Sequence, residues 1–183
     1  METLTGKEVI NKINENSSLV IEEILKNYGI KVLKLCFIQL GNKEEAEDAC
    51  QEVFLKLYKN INKYNGNGGI YTWVYRITIN TCLDILKKRN KFKLEDLSVH
   101  LDYVSDSKSV EEVILRNLDS VNLRKALMQI SEKYRLLLYM FYFEEMKISS
   151  IALIINENEN TVKTRLRRGK NALKRFLEES EGI

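Results

Sequence analysis

Residues 43–60 read KEEAEDACQEVFLKLYKN, and the spacing of their apolar members decides the fold. Ala46, Ala49, Cys50, Val53, Phe54 and Leu57 recur at steps of one, three and four. On a helix of 3.6 residues per turn they share one stripe. Glu44, Glu45, Asp48, Gln51, Glu52 and Lys56 fall on the opposite face. This is an amphipathic helix that buries one side and offers the other to water or to a partner. Just upstream, Gly41 ends the preceding element, and Asn42 followed three residues later by Glu45 is a capping-box-like start.

The same period continues in both directions. Leu19, Val20, Ile24, Tyr28, Val32, Leu35 and Ile38 predict a core-facing helix over 19–40, interrupted at most by Gly29. Downstream, YNGNGG at 64–69 is a loop by composition, because Asn and Gly accept positive φ. A third helix follows, about Tyr71 to Asn90, with Trp73, Ile77, Leu83 and Leu86 near its apolar side. Glu95 to Asp106 is polar, acidic and aperiodic, which predicts a linker. Beyond it, Ser109 with Glu112 opens a helix through Val113, Leu118 and Leu127, and Ser131 caps another over Tyr134, Leu137, Leu138 and Phe141. Two further helices, about 148–156 and 159–178, are separated by the polar turn Asn156, Glu157, Asn158. Two helices joined by a tight turn on a helical scaffold describe a helix-turn-helix. With no proline and only eight glycines in 183 residues, nothing opposes long helices. The expected fold is all-α, with two small helical domains, 1–92 and 109–183, joined by a flexible linker at 93–108.

Several function classes drop out. The N-terminus has no apolar leader segment, and the uncharged apolar runs 35–40 and 136–143 are too short to span a bilayer, so the chain is expected in the cytoplasm without membrane insertion. Cys36, Cys50 and Cys82 lack any C-x-x-C pairing and read as buried thiols, not as a disulfide or zinc set. His100 is the only histidine and sits in a polar stretch, so no histidine-based triad can be built. The Gly66, Gly68, Gly69 cluster lacks the Lys-Ser/Thr ending of a phosphate loop. No catalytic residue, metal site or cofactor is expected, and the chain is not expected to be an enzyme.

Charge is partitioned, although the net value is only +3. Residues 42–52 hold five acidic side chains against one lysine, a surface that repels DNA and faces either a protein or water. Residues 159–176 carry seven basic side chains against one acidic. Val162, Leu166, Leu173 and Phe176 form the apolar seam of that helix. Because the basic run follows a two-helix unit, it predicts a recognition helix. Thr161, Lys163, Thr164 and Arg167 are the candidates for base edges, and Arg165, Arg168 and Lys170 for phosphates. A second basic window sets Arg76, Lys87, Lys88, Arg89, Lys91 and Lys93 against Asp84 alone, directly after Tyr64, Tyr71, Trp73 and Tyr75. Cations beside rings and a glycine-rich loop suit single-stranded nucleic acid. Trp73 keeps two readings here, a packed core ring or a stacking platform.

EEAEDACQEVFLKLYKNINKYNGNGGIYTWVYRITINTCLDILKKRNK resembles region 2 of the extracytoplasmic-function sigma factors of RNA polymerase. The residues in register are Ala46, Glu47, Asp48, Gln51, Glu52, Val53, Phe54, Thr72, Trp73, Tyr75, Arg76, Ile77, Asn80 and Asp84. IALIINENENTVKTRLRRGKNAL is similar to region 4 of the same family, through Ile151, Ala152, Thr161, Val162, Lys163, Arg165, Leu166, Arg168, Ala172 and Leu173. The resemblance implies a protein that binds core RNA polymerase and directs promoter-specific transcription initiation. It implies that Asp48, Gln51, Glu52 and Phe54 dock on the polymerase clamp. It places capture of the melted minus-ten strand on the loop, with Asn65, and on Tyr71, Trp73, Arg76, Asn80, Lys87, Lys88 and Arg89. The minus-thirty-five duplex falls to the recognition helix, and a contact with the polymerase flap to Leu137, Tyr139 and Tyr142. An anti-sigma factor is the expected class of regulatory partner. The chain departs from the pattern at Asn156 and Glu157, where a glycine and an apolar residue are usual, at Tyr71 and Ile79, where arginine is common, and at Ile70, a usual Phe. Two rivals are an ordinary dimeric helix-turn-helix regulator, which leaves 42–90 unused, and a nucleic-acid enzyme, for which no carboxylate cluster or nucleophile-base pair is found.

Overall fold

A computed structural model describes residues 6–67, 69–95 and 126–181. Helix α1, Gly6–Leu40, runs on into helix α2, Lys43–Asn60, through a two-residue corner. Gly41 turns left-handed there at φ 75°, and its N–H reaches the Phe37 carbonyl at 2.8 Å. Asn42 then caps α2 by accepting from the Glu45 N–H at 2.9 Å, as its spacing predicted. A short 3-10 turn, Ile61–Lys63, and the loop at 64–67 lead to helix α3, Gly69–Glu95. Residues 126–129 are helical, and helix α4, Glu132–Leu138, follows, closed by a π turn, Tyr139–Phe143. Helices α5, Ile148–Ile155, and α6, Glu159–Glu181, complete the chain.

The first three helices form one bundle. Val32, Leu35, Ile38, Ala46, Val53, Leu57, Val74, Tyr75 and Cys82 are buried between them. The α2 stripe is as the sequence spacing requires, with Cys50 and Phe54 at its half-buried margin. Two helices depart from expectation. α1 begins well before residue 19 and is broken at Asn16, whose backbone is extended at φ −159° and ψ 97°. The Asn16 side chain caps the second segment by accepting from the Ser18 and Leu19 N–H groups at 3.1 and 3.3 Å. Leu19 therefore sits on the first turn after a kink and points to solvent at 59% exposure, so its place in the core is corrected. Gly29 does not interrupt the helix. In α3, Leu83 is exposed and the buried side is Val74, Tyr75, Thr78, Ile79 and Cys82. Threonine fits that interior because Thr78 returns its hydroxyl to the Val74 carbonyl at 2.9 Å.

The second bundle packs α4, α5 and α6 around Leu136, Leu138, Met140, Ile151, Ile154 and Val162. Gly169 lets α6 approach α4, since a Cβ there would lie 3.1 Å from the Tyr134 Cβ and 3.3 Å from Leu138. Ser131 is the N-cap of α4 but makes no side-chain capping bond. The linker expected at 93–108 overlaps the end of α3, which stays helical to Glu95; its remainder from residue 96, the Ser109–Glu112 start, the helix through Val113 and Leu118, and His100 lie outside the described residues.

The two bundles are not held apart. Their buried residues form one continuous apolar core, with α4 against α1 and α5 against α3. Arg135 is one polar pin of that junction. It is 8% exposed and donates to the Ile38 carbonyl in α1 at 3.0 Å and to the Met128 carbonyl of its own bundle at 2.8 Å.

Candidate polymerase and nucleic-acid interfaces

The outer face of α2 is a surface of two chemistries. Asp48, Gln51 and Glu52 are exposed, and Phe54 is half-buried at the edge. One to two turns further on, Leu55 and Tyr58 are each 59% exposed. Positions 48, 51, 52, 55 and 58 share a helix face, so carboxylates lead directly into an apolar patch. Sequence reasoning missed Leu55 and Tyr58 because both lie off the core stripe, and that itself was the available signal. Lys56, on the flank, bonds Glu52 at 2.8 Å and the Thr81 hydroxyl at 3.1 Å, tying α2 to α3.

The loop and α3 form the second surface. Asn65 and Asn67 are exposed, and the turn is built by Asn65 accepting from the Asn67 N–H at 3.1 Å. Gly66, at φ 78°, lies against the start of α1, where a Cβ on Gly6 would meet the Gly66 backbone. The first segment of α1 thus backs the loop. Arg76, Asn80 and Lys87 are exposed along one line of α3, about 17 Å long at 1.5 Å per residue. Lys88 is exposed beside it. Trp73 is half-buried against the Tyr64 ring, with centroids 5.6 Å apart, so its two readings resolve to a packed ring with one accessible side. Tyr71 sits between Tyr28 and Tyr75 at 5.9 and 4.2 Å, and burial pushes its phenol up to about 12. Two cations of this set are already engaged. Arg89 is half-buried and reaches the Leu40 carbonyl and Glu45, both at 3.4 Å, at the α1–α2 corner. Arg76 donates to the Leu153 carbonyl of α5 at 2.6 Å.

The third surface is α6. Lys163, Arg167, Arg168 and Lys170 are exposed, while Val162 and Leu166 are buried beneath them. The turn before the helix works without glycine because Asn156 adopts the left-handed conformation at φ 55° and ψ 49°. Asn158 accepts from the Thr161 N–H at 2.8 Å and from its hydroxyl at 3.0 Å, so Thr161 is spent partly on its own helix start. Glu157, unusual at its position, pairs with Arg165 at 2.8 Å. Thr164 is half-buried. Of the flap residues expected from the sequence, Leu137 and Tyr139 are 1% and 5% exposed and only Tyr142 is open to solvent. That expectation is corrected for the first two. Leu137 belongs to the shared core, and the Tyr139 hydroxyl is held by Glu144 at 3.2 Å.

Of the three thiols expected to be buried, Cys36 and Cys82 are fully enclosed, whereas Cys50 is only half-buried, and its partial burial raises its thiol to about 11. Among the described residues, no cluster of three or more His, Cys, Asp or Glu can hold a metal, and no helix is long and apolar enough to cross a membrane.

An acidic helix face, a loop followed by rings and cations, and a helix-turn-helix with a basic second helix follow one another along the chain. The family model of Sigma-70 region 2 matches residues 24–92, and that of Sigma-70 region 4 matches 120–173. The ECF RNA polymerase sigma factor SigW of Bacillus subtilis is 31% identical over 93% of this chain and 96% of its own. The chain belongs to the extracytoplasmic-function sigma factors of RNA polymerase. The RNA polymerase sigma-H factor of Pseudomonas aeruginosa is 25% identical over 94% of this chain and 93% of its own. Among solved structures, the sigma factor RpoE in complex with the anti-sigma factor NepR from Bartonella quintana has the same fold, with a TM-score of 0.70 at 20% identity over 86% of this chain and 95% of that one. CnrH in complex with the cytosolic domain of CnrY gives a TM-score of 0.68 at 12% identity, covering 96% and 99%. This sigma factor directs promoter-specific transcription initiation by core RNA polymerase.

Proposed function

We propose a division of labour within this sigma factor that follows its charge partition. Residues 1–92 dock on core polymerase through Asp48, Gln51, Glu52 and Phe54, with Leu55 and Tyr58 extending the contact. Exposed carboxylates beside an exposed apolar pair match the anatomy of a protein interface and repel nucleic acid. This is the observation that carries the proposal. The same unit captures the melted minus-ten strand with Asn65, Tyr71, Trp73, Arg76, Asn80, Lys87 and Lys88. Arg89, held at the α1–α2 corner, contributes only if that corner releases it. Residues 93–108 link the units. Residues 109–183 read the minus-thirty-five duplex, with Lys163, Thr164 and Arg167 toward bases and Arg165, Arg168 and Lys170 toward phosphate. Thr161 joins the base-reading set through whatever bonding its cap leaves free.

The protein performs no chemistry of its own and works in the cytoplasm. Strand opening is favoured because stacking of unpaired bases on rings offsets their unpairing. The RpoE structure is a complex with the anti-sigma factor NepR and the CnrH structure one with the cytosolic domain of CnrY, which supports an anti-sigma partner here. A pull-down with core polymerase tests the docking face. Asp48→Lys lowers capture by about tenfold or more, since it sets a like charge in a complementary interface. Equal capture of the variant and the unaltered chain removes α2 as the docking face, and no capture of either overturns docking through residues 1–92.

A further inference from the structure

The loop at 64–67 is backed by a part of the chain to which strand capture gives no role, the first segment of α1. Gly6 and Gly66 meet backbone to backbone: a Cβ on Gly6 would fall 2.8 Å from the Gly66 Cα and 3.0 Å from its carbonyl carbon. A Cβ on Gly66 would in turn meet the Ile10 Cδ1 at 3.1 Å and the Gly6 carbonyl carbon at 3.4 Å. No side chain fits between the two backbones, and Ile10 fills the space beside them. Gly66 is also restricted in what can replace it, since its φ of 78° lies in the left-handed region.

The backing segment is itself firmly seated. Val9 and Ile13, one turn apart, are 3% and 7% exposed, and Ile10 is half-buried beside them. The break at Asn16 gives the segment its own direction, and the Asn16 cap closes the second segment independently of it. An ion pair of Lys12 with Glu23 at 3.1 Å crosses the break, but both side chains are nearly half exposed, so it adds little beside the two buried ones. The loop is fixed at its start as well. Tyr64 is buried against Trp73, and its N–H bonds the Ile61 carbonyl at 3.0 Å. Beyond that anchor Asn65 and Asn67 face water, one on each side of Gly66, and the Asn65 side chain joins them by accepting from the Asn67 N–H. A shift of Gly66 therefore carries both side chains with it.

A loop that is ordered only on binding loses conformational freedom at that moment, whereas one already held in its bound shape does not. Position also matters for choice among bases, because amide donors and acceptors discriminate an edge only within hydrogen-bonding tolerance. We propose that the first segment of α1 is a brace for base selection: Gly6 and Ile10 are positioning residues that set where Gly66 lies, and through it the reach of Asn65 and Asn67 toward an unpaired base. Neither touches nucleic acid itself. The brace deepens the assignment of the loop to the melted strand and rests on it.

The test uses holoenzyme assembled from core polymerase and the full chain, offered a pool of short single-stranded DNA of random sequence, with the retained strands sequenced and aligned. Asn65→Ala marks the positions that the loop reads. Gly6→Val forces the two backbones apart, and Ile10→Ala removes the side chain that fills the space beside Gly66. Both are expected to weaken base preference at those same positions by about fivefold, the lower end of what one base contact contributes, and to leave the other positions and capture by polymerase unchanged. Gly29→Ala, in the same helix but where an added Cβ meets only Leu25 at 3.7 Å, is expected to change nothing. If Asn65→Ala alters the preference while Gly6→Val and Ile10→Ala leave it intact, or alter it at other positions, the brace is overturned and the loop reading stands. An even loss over all positions, accompanied by loss of polymerase capture or of helical circular dichroism, also overturns it and makes both residues structural only. If Asn65→Ala too leaves the preference intact, or the unaltered chain shows none, the loop reading fails and the brace fails with it.

Discussion

Helices α3 and α6 are the two basic surfaces of this sigma factor, yet the fold treats them oppositely. α6 lays Val162 and Leu166 on its own bundle and leaves Lys163, Arg167, Arg168 and Lys170 in water. α3 is packed on both sides, by α1 and α2 beneath and by α5 alongside, and Arg76 is taken by α5. The basic face of α6 is open to solvent, while that of α3 is partly engaged by the second bundle. A basic run in sequence therefore shows where cations gather, and the packing around it decides which of them stay free.

Salt dependence sharpens that contrast most. Release of counterions from about five phosphates by α6 gives a log-log slope of about −4 to −5 for duplex binding, so affinity falls several hundredfold between 50 and 200 mM salt. Titration of the free chain with promoter duplex at several salt concentrations measures it. A slope near zero means that α6 neutralises no phosphate and that the contrast with α3 is empty.

The seating of α6 can be broken next. Gly169→Val drives methyl groups into Tyr134 and Leu138, where even a Cβ is tight. Overpacking of that kind costs about 1–3 kcal/mol, against which the better helix propensity of valine returns only a few tenths. Denaturant unfolding reads the difference, and an unchanged midpoint would show that α6 sits farther from α4 than described. A smaller effect belongs to the turn. Asn156→Ala places a β-carbon in a left-handed conformation and lowers stability by about 1 kcal/mol, whereas Asn156→Gly is neutral or slightly stabilising. The two variants compared by thermal melting give the sign.

Local periodicity carried most of the fold. The α2 stripe, the Asn42 cap, the loop at 64–67 and the α5–turn–α6 unit were legible because each depends on residues within a few positions of one another. The kink at Asn16 was less so: an asparagine inside a polar run signals a cap only once Val9 and Ile13 are known to be buried. The α3 interior was misjudged at Leu83 because threonines at 72, 78 and 81 look polar in sequence but satisfy or hide their hydroxyls in the helix. The exposed face of α2 proposed for docking was half visible. Its carboxylates stood out by charge, while Leu55 and Tyr58 were passed over as stray apolar residues. The junction of the bundles was not legible at all. Ile38 and Arg135 are 97 positions apart, as Tyr75 and Glu144 are 69, and no local pattern connects them. The same distance in sequence explains the two mistaken flap residues, since Leu137 and Tyr139 look like an exposed apolar surface until the opposing bundle covers them.

Run-off transcription over a genomic promoter library, with core polymerase and this chain as the only added sigma factor, bears most directly on the whole account. Discrete transcripts from a small set of promoters are the expected result, lost when Asp48→Lys replaces the unaltered protein. Transcripts that appear equally with and without the chain would contradict it.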